Sequence, residues 1–393
     1  MIPSVTPKER SFTVHQKIFE SIDSLYETYL DVWEDVCSIE SPTSCKAGVD
    51  AVGRHFIRMA GERGWQIDIG SQEVAGDTVC ITLNPEVDAQ PLALSGHMDT
   101  VHPIGLFGTP AVRRENGKIY GPGVDDCKGG IVAAFLAMDA LDRCGYRARP
   151  IQLLLQSDEE HDLSSKTTIR WICEKARNAA ALLNLEGHTA GKVCITRKGI
   201  ATFTFEVTGV EAHSSMCATQ GANAIAEAAH KILELEKWKD DDGLTCNCGV
   251  ISGGSVPNTV PGKCVFKANV RYATQEQLDW ARKEMQRIAD TVHVSGCSST
   301  VTLTGSRVAM EYTARNEELV CQLNKAFAQA GLAQLEPVRR NGGSDAADVT
   351  MFGIPCVDSV GVTGGRIHSP EEYADMVSLK EAAYRIAAAA VYL

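Results

Sequence analysis

Apolar residues recur at alternating spacings of four and three along residues 14–39, at Ile18, Ile22, Leu25, Tyr29, Val32 and Val36. That is the period of one helix face, and Ser41-Pro42 marks its end. A second helical pattern covers residues 49–62 and stops at Gly64. WQIDIG, DTVCITLN and PLALSGH then read as strands, IVAAFLAMDAL as a buried helix, and PIQLLLQ and ALLN as two more strands. Unbroken apolar runs suit strands covered on both faces, so the pattern predicts an α/β sheet. Three of these strands end in polar residues: His97 with Asp99, Glu159 with Glu160, and Glu186. The carboxyl edge is where open α/β sheets place their chemistry.

Near Lys192 the pattern changes. TRKGIATFTFEVTGV alternates apolar and polar residues, the period of an antiparallel strand with one wet face. A helix over residues 222–238, a strand near 248–252, VFKANVRYAT, a helix over 275–288 and SSTVTLTGS follow. The order β, α, β, β, α, β suits a small two-layer α+β unit. From about Ala309 the first style resumes, with a helix over 317–330, the NGGSDAAD loop and a last helix from Ser378. At 393 residues the chain exceeds a single ordinary core. The predicted division is a first domain built from residues 1–197 and 309–393, with residues 198–308 inserted.

Composition narrows the classes. A net charge of −12, with no basic run interleaved with aromatics, argues against a nucleic-acid surface. No stretch approaches the roughly 20 apolar residues of a membrane span, and MIPSVTPKERSF lacks a signal-peptide core, so the expectation is a cytoplasmic protein without membrane contact. The 14 cysteines are scattered, with one C-x-C at Cys246 and Cys248 and no C-x-x-C, which reads as reduced, buried thiols. Any metal would then be held by histidines and carboxylates.

Residues 95–130 concentrate that chemistry: SGHMDTVHP, a turn-rich connection, then YGPGVDDCKGG. A His-x-Asp at a strand end can be a structural pair, and an Asp-Asp turn can cap a helix. Together, carboxylates crowded on a glycine-bracketed turn beside a histidine suggest a cation. No G-x-G-x-x-G after a strand, G-x-x-x-x-G-K-[ST] or G-x-S-x-G occurs, which sets nucleotide-dependent and serine-hydrolase chemistry aside.

The ordered set His97-x-Asp99, Gly-x-x-Asp126-x-Lys-Gly-Gly, Asp158-Glu159-Glu160, Glu186-Gly and His368-Ser369 resembles the M20 family of zinc-dependent peptidases and deacylases. Within the family the similarity is closest to the glutamate carboxypeptidase branch. The resemblance spans nearly the whole chain and implies a catalytic domain with a central, mostly parallel mixed sheet flanked by helices. It also implies that the inserted unit is a lid that forms a homodimer. It implies two Zn²⁺ per subunit, with Co²⁺ or Mn²⁺ as substitutes: one held by His97 and Glu186, the other by Glu160 and His368, with Asp126 bridging. Imidazole and carboxylate donors suit such ions. Asp99 would accept the His97 N–H and fix its tautomer.

By the same resemblance Glu159 is the general base that takes a proton from the attacking water and hands it to the leaving nitrogen. His213, in TGVEAHSSM, matches a lid histidine that reaches the partner's site and stabilises the oxyanion. The family's usual Ser-His pair is Ala212-His213 here. Asn258, Arg271 and Gly343 match substrate-contacting positions, and Arg307 matches an arginine that receives a C-terminal carboxylate, although its flanking residues differ. His102, His161 and His188 read as polar loop residues, and Cys127 carries no assigned chemistry. The implied activity is release of a C-terminal amino acid such as glutamate from a peptide or N-acyl conjugate. The alternative is an N-acyl amino acid deacylase of the acetylornithine or succinyl-diaminopimelate kind. A non-catalytic binding protein that keeps the fold belongs to a different class, and Glu159 argues against it.

Overall fold

The computed structural model describes residues 7–160 and 166–393. The central sheet runs in the order Gln66–Gly70, Thr78–Leu83, Ile151–Gln156, Leu92–His97, Ala181–Asn184, Cys356–Val357. The first two pairings are antiparallel and the remaining three parallel. Leu92–His97 therefore lies between two parallel neighbours, and the three strands that end in candidate site residues stand side by side. All six residues of Leu92–His97 are buried, as a strand covered on both faces must be. The helix Lys128–Arg143 packs on this sheet with almost its entire surface buried, and the helices Pro7–Ser38 and Ser378–Tyr392 pack on it in turn.

A second sheet is antiparallel throughout, in the order Thr245–Gly253, Lys263–Tyr272, Gly199–Thr208, Ser298–Arg307. The helices Ala224–Leu235 and Gln275–Asp290 cover one face, making an α+β two-layer unit with its own core. Phe205 and Phe266, opposite each other in register, stack there with ring centroids 4.6 Å apart. The strand period of two then turns Lys267, Asn269 and Arg271 to the uncovered face.

The structure corrects several sequence expectations. TRKGIATFTFEVTGV is not one strand: Lys192–Arg197 pairs in parallel with Glu336–Arg340, and only Gly199–Thr208 joins the second sheet. The chain crosses between sheets at this point and returns at Met310. The two crossings are tied by reciprocal 3.0 Å bonds between the backbones of Arg197 and Met310. Single-strand periodicity cannot reveal such a change of partner. The turn-rich connection contains a hairpin, Arg113–Glu115 with Lys118–Tyr120, too short to show a pattern. A helix, Ala346–Phe352, follows directly on the NGGSD turn. His161 lies outside the described residues.

Candidate metal centre

Three strand ends and two loops converge on one cluster. His97, the last residue of its strand, points Nε2 at Asp126 Oδ1 (3.0 Å) and Glu186 Oε1 (3.6 Å). His368 Nε2 lies 3.3 Å from both Asp126 Oδ2 and Glu160 Oε1. Asp126 thus stands between two imidazoles, one carboxylate oxygen toward each.

This arrangement is electrostatically unfavourable by itself. Burial, followed by the nearby Asp126 charge, pushes Glu186 well above the usual carboxylate range. Burial likewise pushes Glu160 up to about 7, against the pull of the His368 hydrogen bond. A cation would offset both effects. The donor spacing fits one: tetrahedral coordination with bonds near 2.0–2.1 Å places donor atoms about 3.3 Å apart, inside the 3.0–3.6 Å found here. Cys127 also lies beside His97. Its Sγ accepts the His97 backbone N–H at 3.1 Å, and burial pushes its thiol up to about 12, so it sits as a packed thiol.

The surrounding contacts order the cluster. The nearest partner of His97 Nδ1 is the backbone oxygen of Asp99 at 3.0 Å, with the Asp99 carboxylate at 3.4 Å. That carboxylate also accepts the backbone N–H groups of Glu159 (3.2 Å) and Glu160 (3.0 Å) and the Thr43 hydroxyl (2.6 Å). Asp99 therefore fixes the Asp-Glu-Glu turn more directly than the histidine.

Sequence reading missed Glu372. Fully buried, it accepts the backbone N–H groups of Asp125 (3.0 Å) and Asp126 (3.1 Å) on one oxygen. The other oxygen lies 3.3 Å from the Gly123 N–H and 2.6 Å from His102 Nε2. It anchors the turn that presents Asp126. Its distance along the chain leaves no local signal. His102 and His188 lie in loops, as expected, but both are buried; His188 Nδ1 bonds the Ser359 carbonyl at 2.8 Å.

A cavity of about 1240 Å³ opens over the cluster, floored by Asp126, Glu159, Glu160, Glu186 and His368 and walled by the uncovered face of the second sheet. Arg271, Arg307 and Gly343 line it. Arg307 Nη1 donates to Glu159 Oε1 at 2.5 Å, and a Cβ on Gly343 would meet the Arg307 side chain at 3.2 Å, so this loop packs directly on the guanidinium. Arg197 ties the same loop down through bonds to the carbonyls of Gly342 and Gly343, while its guanidinium pairs with the buried Asp358. Two expected site residues are not brought to this cavity within one chain. His213 is exposed, with Nδ1 bonded to Ser215 Oγ at 2.8 Å, and Asn258 is exposed beside it, its carbonyl accepting the Ser214 N–H.

The sequence pattern of peptidase family M20/M25/M40 matches residues 93–392, from the strand that ends in His97 to the final helix. This chain belongs to that family. Among relatives, carboxypeptidase G2 of Pseudomonas sp. (strain RS-16) is 28% identical over 378 residues, covering 94% of this chain and 90% of its own. Succinyl-diaminopimelate desuccinylase of Rhodopseudomonas palustris is 25% identical, covering 90% and 95%. The fold is shared with a tripeptidase of Staphylococcus aureus, at a TM-score of 0.78 and 21% identity, covering 94% of this chain and 99% of that one. The protein is thus an M20 amide hydrolase. Among the described residues no helix is long and apolar enough to cross a membrane.

Proposed function

We propose that this M20 protein is a dizinc carboxypeptidase that releases a C-terminal amino acid such as glutamate from peptides or N-acyl conjugates. The observation that carries this reading is the cavity itself, where a histidine and carboxylate cluster lies under a wall bearing Arg307, Arg271 and Lys267. Among the described residues the Arg271 side chain makes no ion pair and bonds only Asn269, at 3.2 Å through Nε. Cationic side chains of this kind suit a substrate whose leaving group is anionic.

In this reading His97 and Glu186 would hold one ion and Glu160 and His368 the other, with Asp126 contributing to both. The ions would polarise the amide carbonyl and acidify water. Glu159, adjacent to a ligand and hydrogen-bonded by Arg307, takes the proton of the attacking water and returns it to the leaving nitrogen. Asp99 keeps Glu159 and Glu160 in place by accepting their backbone N–H groups. Residues 198–308 act as a lid on the domain formed by residues 1–197 and 309–393, and a second copy of the chain completes the site. The exposure of His213 and Asn258, outside their own cavity, supports their service to a partner's substrate.

The rival is an N-acyl amino acid deacylase, favoured by the similarity to a desuccinylase; it uses the same cluster and differs in what the cavity wall receives. The deciding experiment measures metal content per subunit and hydrolysis of a panel of peptidyl and N-acyl glutamates against N-acetyl and N-succinyl amino acids, before and after chelation. Two metals with chelator-sensitive glutamate release are expected. Activity on other acyl amino acids alone would discard the carboxypeptidase, and an active metal-free protein would discard the mechanism. Glu159→Gln is expected to lose about 10²–10⁴-fold in turnover with metal retained. Near-normal turnover in that variant would remove Glu159 from its role.

A further inference from the structure

Arg307 and Glu159 are each given a task in the proposed reaction, and in the structure each occupies the other. Arg307 Nη1 and Glu159 Oε1 are 2.5 Å apart, with the side chains 22% and 7% exposed. The two ends are anchored on different sheets. The Arg307 backbone pairs with Ile200 in the second sheet, and its carbonyl accepts the Tyr272 hydroxyl at 2.7 Å. Glu159 is fixed at its backbone by Asp99. Gly343 packs on the Arg307 side chain, its Cβ position 3.2 Å from Arg307 Cδ and 3.5 Å from Nη1.

A general base must direct a free lone pair at water, and the bond from Arg307 Nη1 occupies Glu159 Oε1 and holds the carboxylate toward the cavity wall. A guanidinium that accepts a substrate carboxylate must likewise release the carboxylate it already holds. The two events are one exchange: an incoming carboxylate replaces Glu159 on Arg307, trading one charge-assisted pair for another with little net cost. A neutral C-terminal group cannot make this trade and leaves the base tied.

We propose that Arg307 determines specificity at the turnover step: binding of the substrate's free carboxylate frees Glu159, so the carboxylate is required for chemistry as well as for affinity. This rests on the carboxypeptidase reading above. It differs from a simple binding role in one consequence, because removing Arg307 frees the base for every substrate.

The test compares an N-acyl-glutamate with its α-carboxamide on metal-loaded wild type, Arg307→Met and Arg307→Lys. Wild type is expected to turn over the acid at least about 10²-fold faster in kcat than the amide, the scale of one general base. Arg307→Met lowers acid turnover yet raises the amide kcat about tenfold above wild type, on the scale of a typical coupling between two competing groups. Arg307→Lys, a cation without the planar fork, falls between. An amide kcat in Arg307→Met equal to or below that of wild type refutes the exchange while leaving the carboxypeptidase intact. If wild type cleaves neither substrate, the carboxypeptidase reading fails and the exchange with it.

A measurement without turnover stands even if Arg307→Met does not fold. Calorimetric binding of L-glutamate to the metal-loaded protein is expected to tighten about tenfold in Glu159→Gln, because the competitor for Arg307 has lost its charge. Equal affinity in wild type and Glu159→Gln refutes the competition.

Discussion

Glu372→Gln tests whether the buried carboxylate under the Asp125-Asp126 turn sets the metal site. The replacement keeps the shape. Its carbonyl oxygen can still accept the N–H groups of Asp125 and Asp126, now as neutral bonds in place of charge-assisted ones. Its NH₂ faces the Gly123 N–H, donor against donor, while His102 can change tautomer and accept from it. One buried donor thus loses its acceptor and two bonds weaken, together about 3 kcal/mol of stability. Glu372→Ala leaves four donors without a partner and is expected to cost roughly 5 kcal/mol, less whatever an entering water restores. Because the same turn carries Asp126, the Gln variant is also expected to bind metal about 10- to 100-fold more weakly, as other groups that orient ligands do. Urea unfolding with an unchanged m-value gives the first quantity, and titration against a competing chelator gives the second. Stability within about 0.5 kcal/mol of wild type, together with unchanged metal affinity, would refute the reasoning.

Two further predictions concern the scaffold. Asp139 accepts the Tyr29 hydroxyl at 2.8 Å and pairs with Arg63 at 2.7 Å; burial opposes its charge, but the Arg63, Arg143 and Tyr29 hydrogen bonds lower its pKa below the ordinary value. A depressed folded pKa contributes stability that is fully present above the unfolded value of about 3.9 and is lost as pH falls through the folded one. Asp139→Asn should therefore be less stable at neutral pH and show a flatter acid limb in urea melts between pH 7 and 2; parallel curves would contradict this. Gly130→Ala would place a Cβ 2.2 Å from the Leu185 carbonyl oxygen, forcing the helix Lys128–Arg143 away from the strand end that carries Glu186. A loss above about 3 kcal/mol is expected by calorimetry, and a variant as stable as wild type would mean that the two elements can separate freely.

Much of the site could be read directly because its chemistry is written in local order. His97-x-Asp99, the Asp125-Asp126 turn and Glu159-Glu160 each follow a recognisable apolar run or glycine bracket, and strand periodicity marks which ends carry acids. The same local order sets the alternation that turns Lys267, Asn269 and Arg271 away from Phe266 and Val270, and the apolar run of Leu92–His97 that makes it a covered strand. Other features depend on which segments meet. Ile151–Gln156, Leu92–His97 and Ala181–Asn184 become neighbours only through pairing across long intervals, and that adjacency assembles the cluster. Glu372 acts 246 residues from Asp126, and the Arg307–Glu159 pair spans 148. The strand predicted across Lys198 changes sheet because Arg197 and Met310 bond each other there. Periodicity and motif spacing report what a residue can bury or donate within a few positions of itself. Partner choice is a free-energy difference between whole arrangements, and only the folded chain decides it.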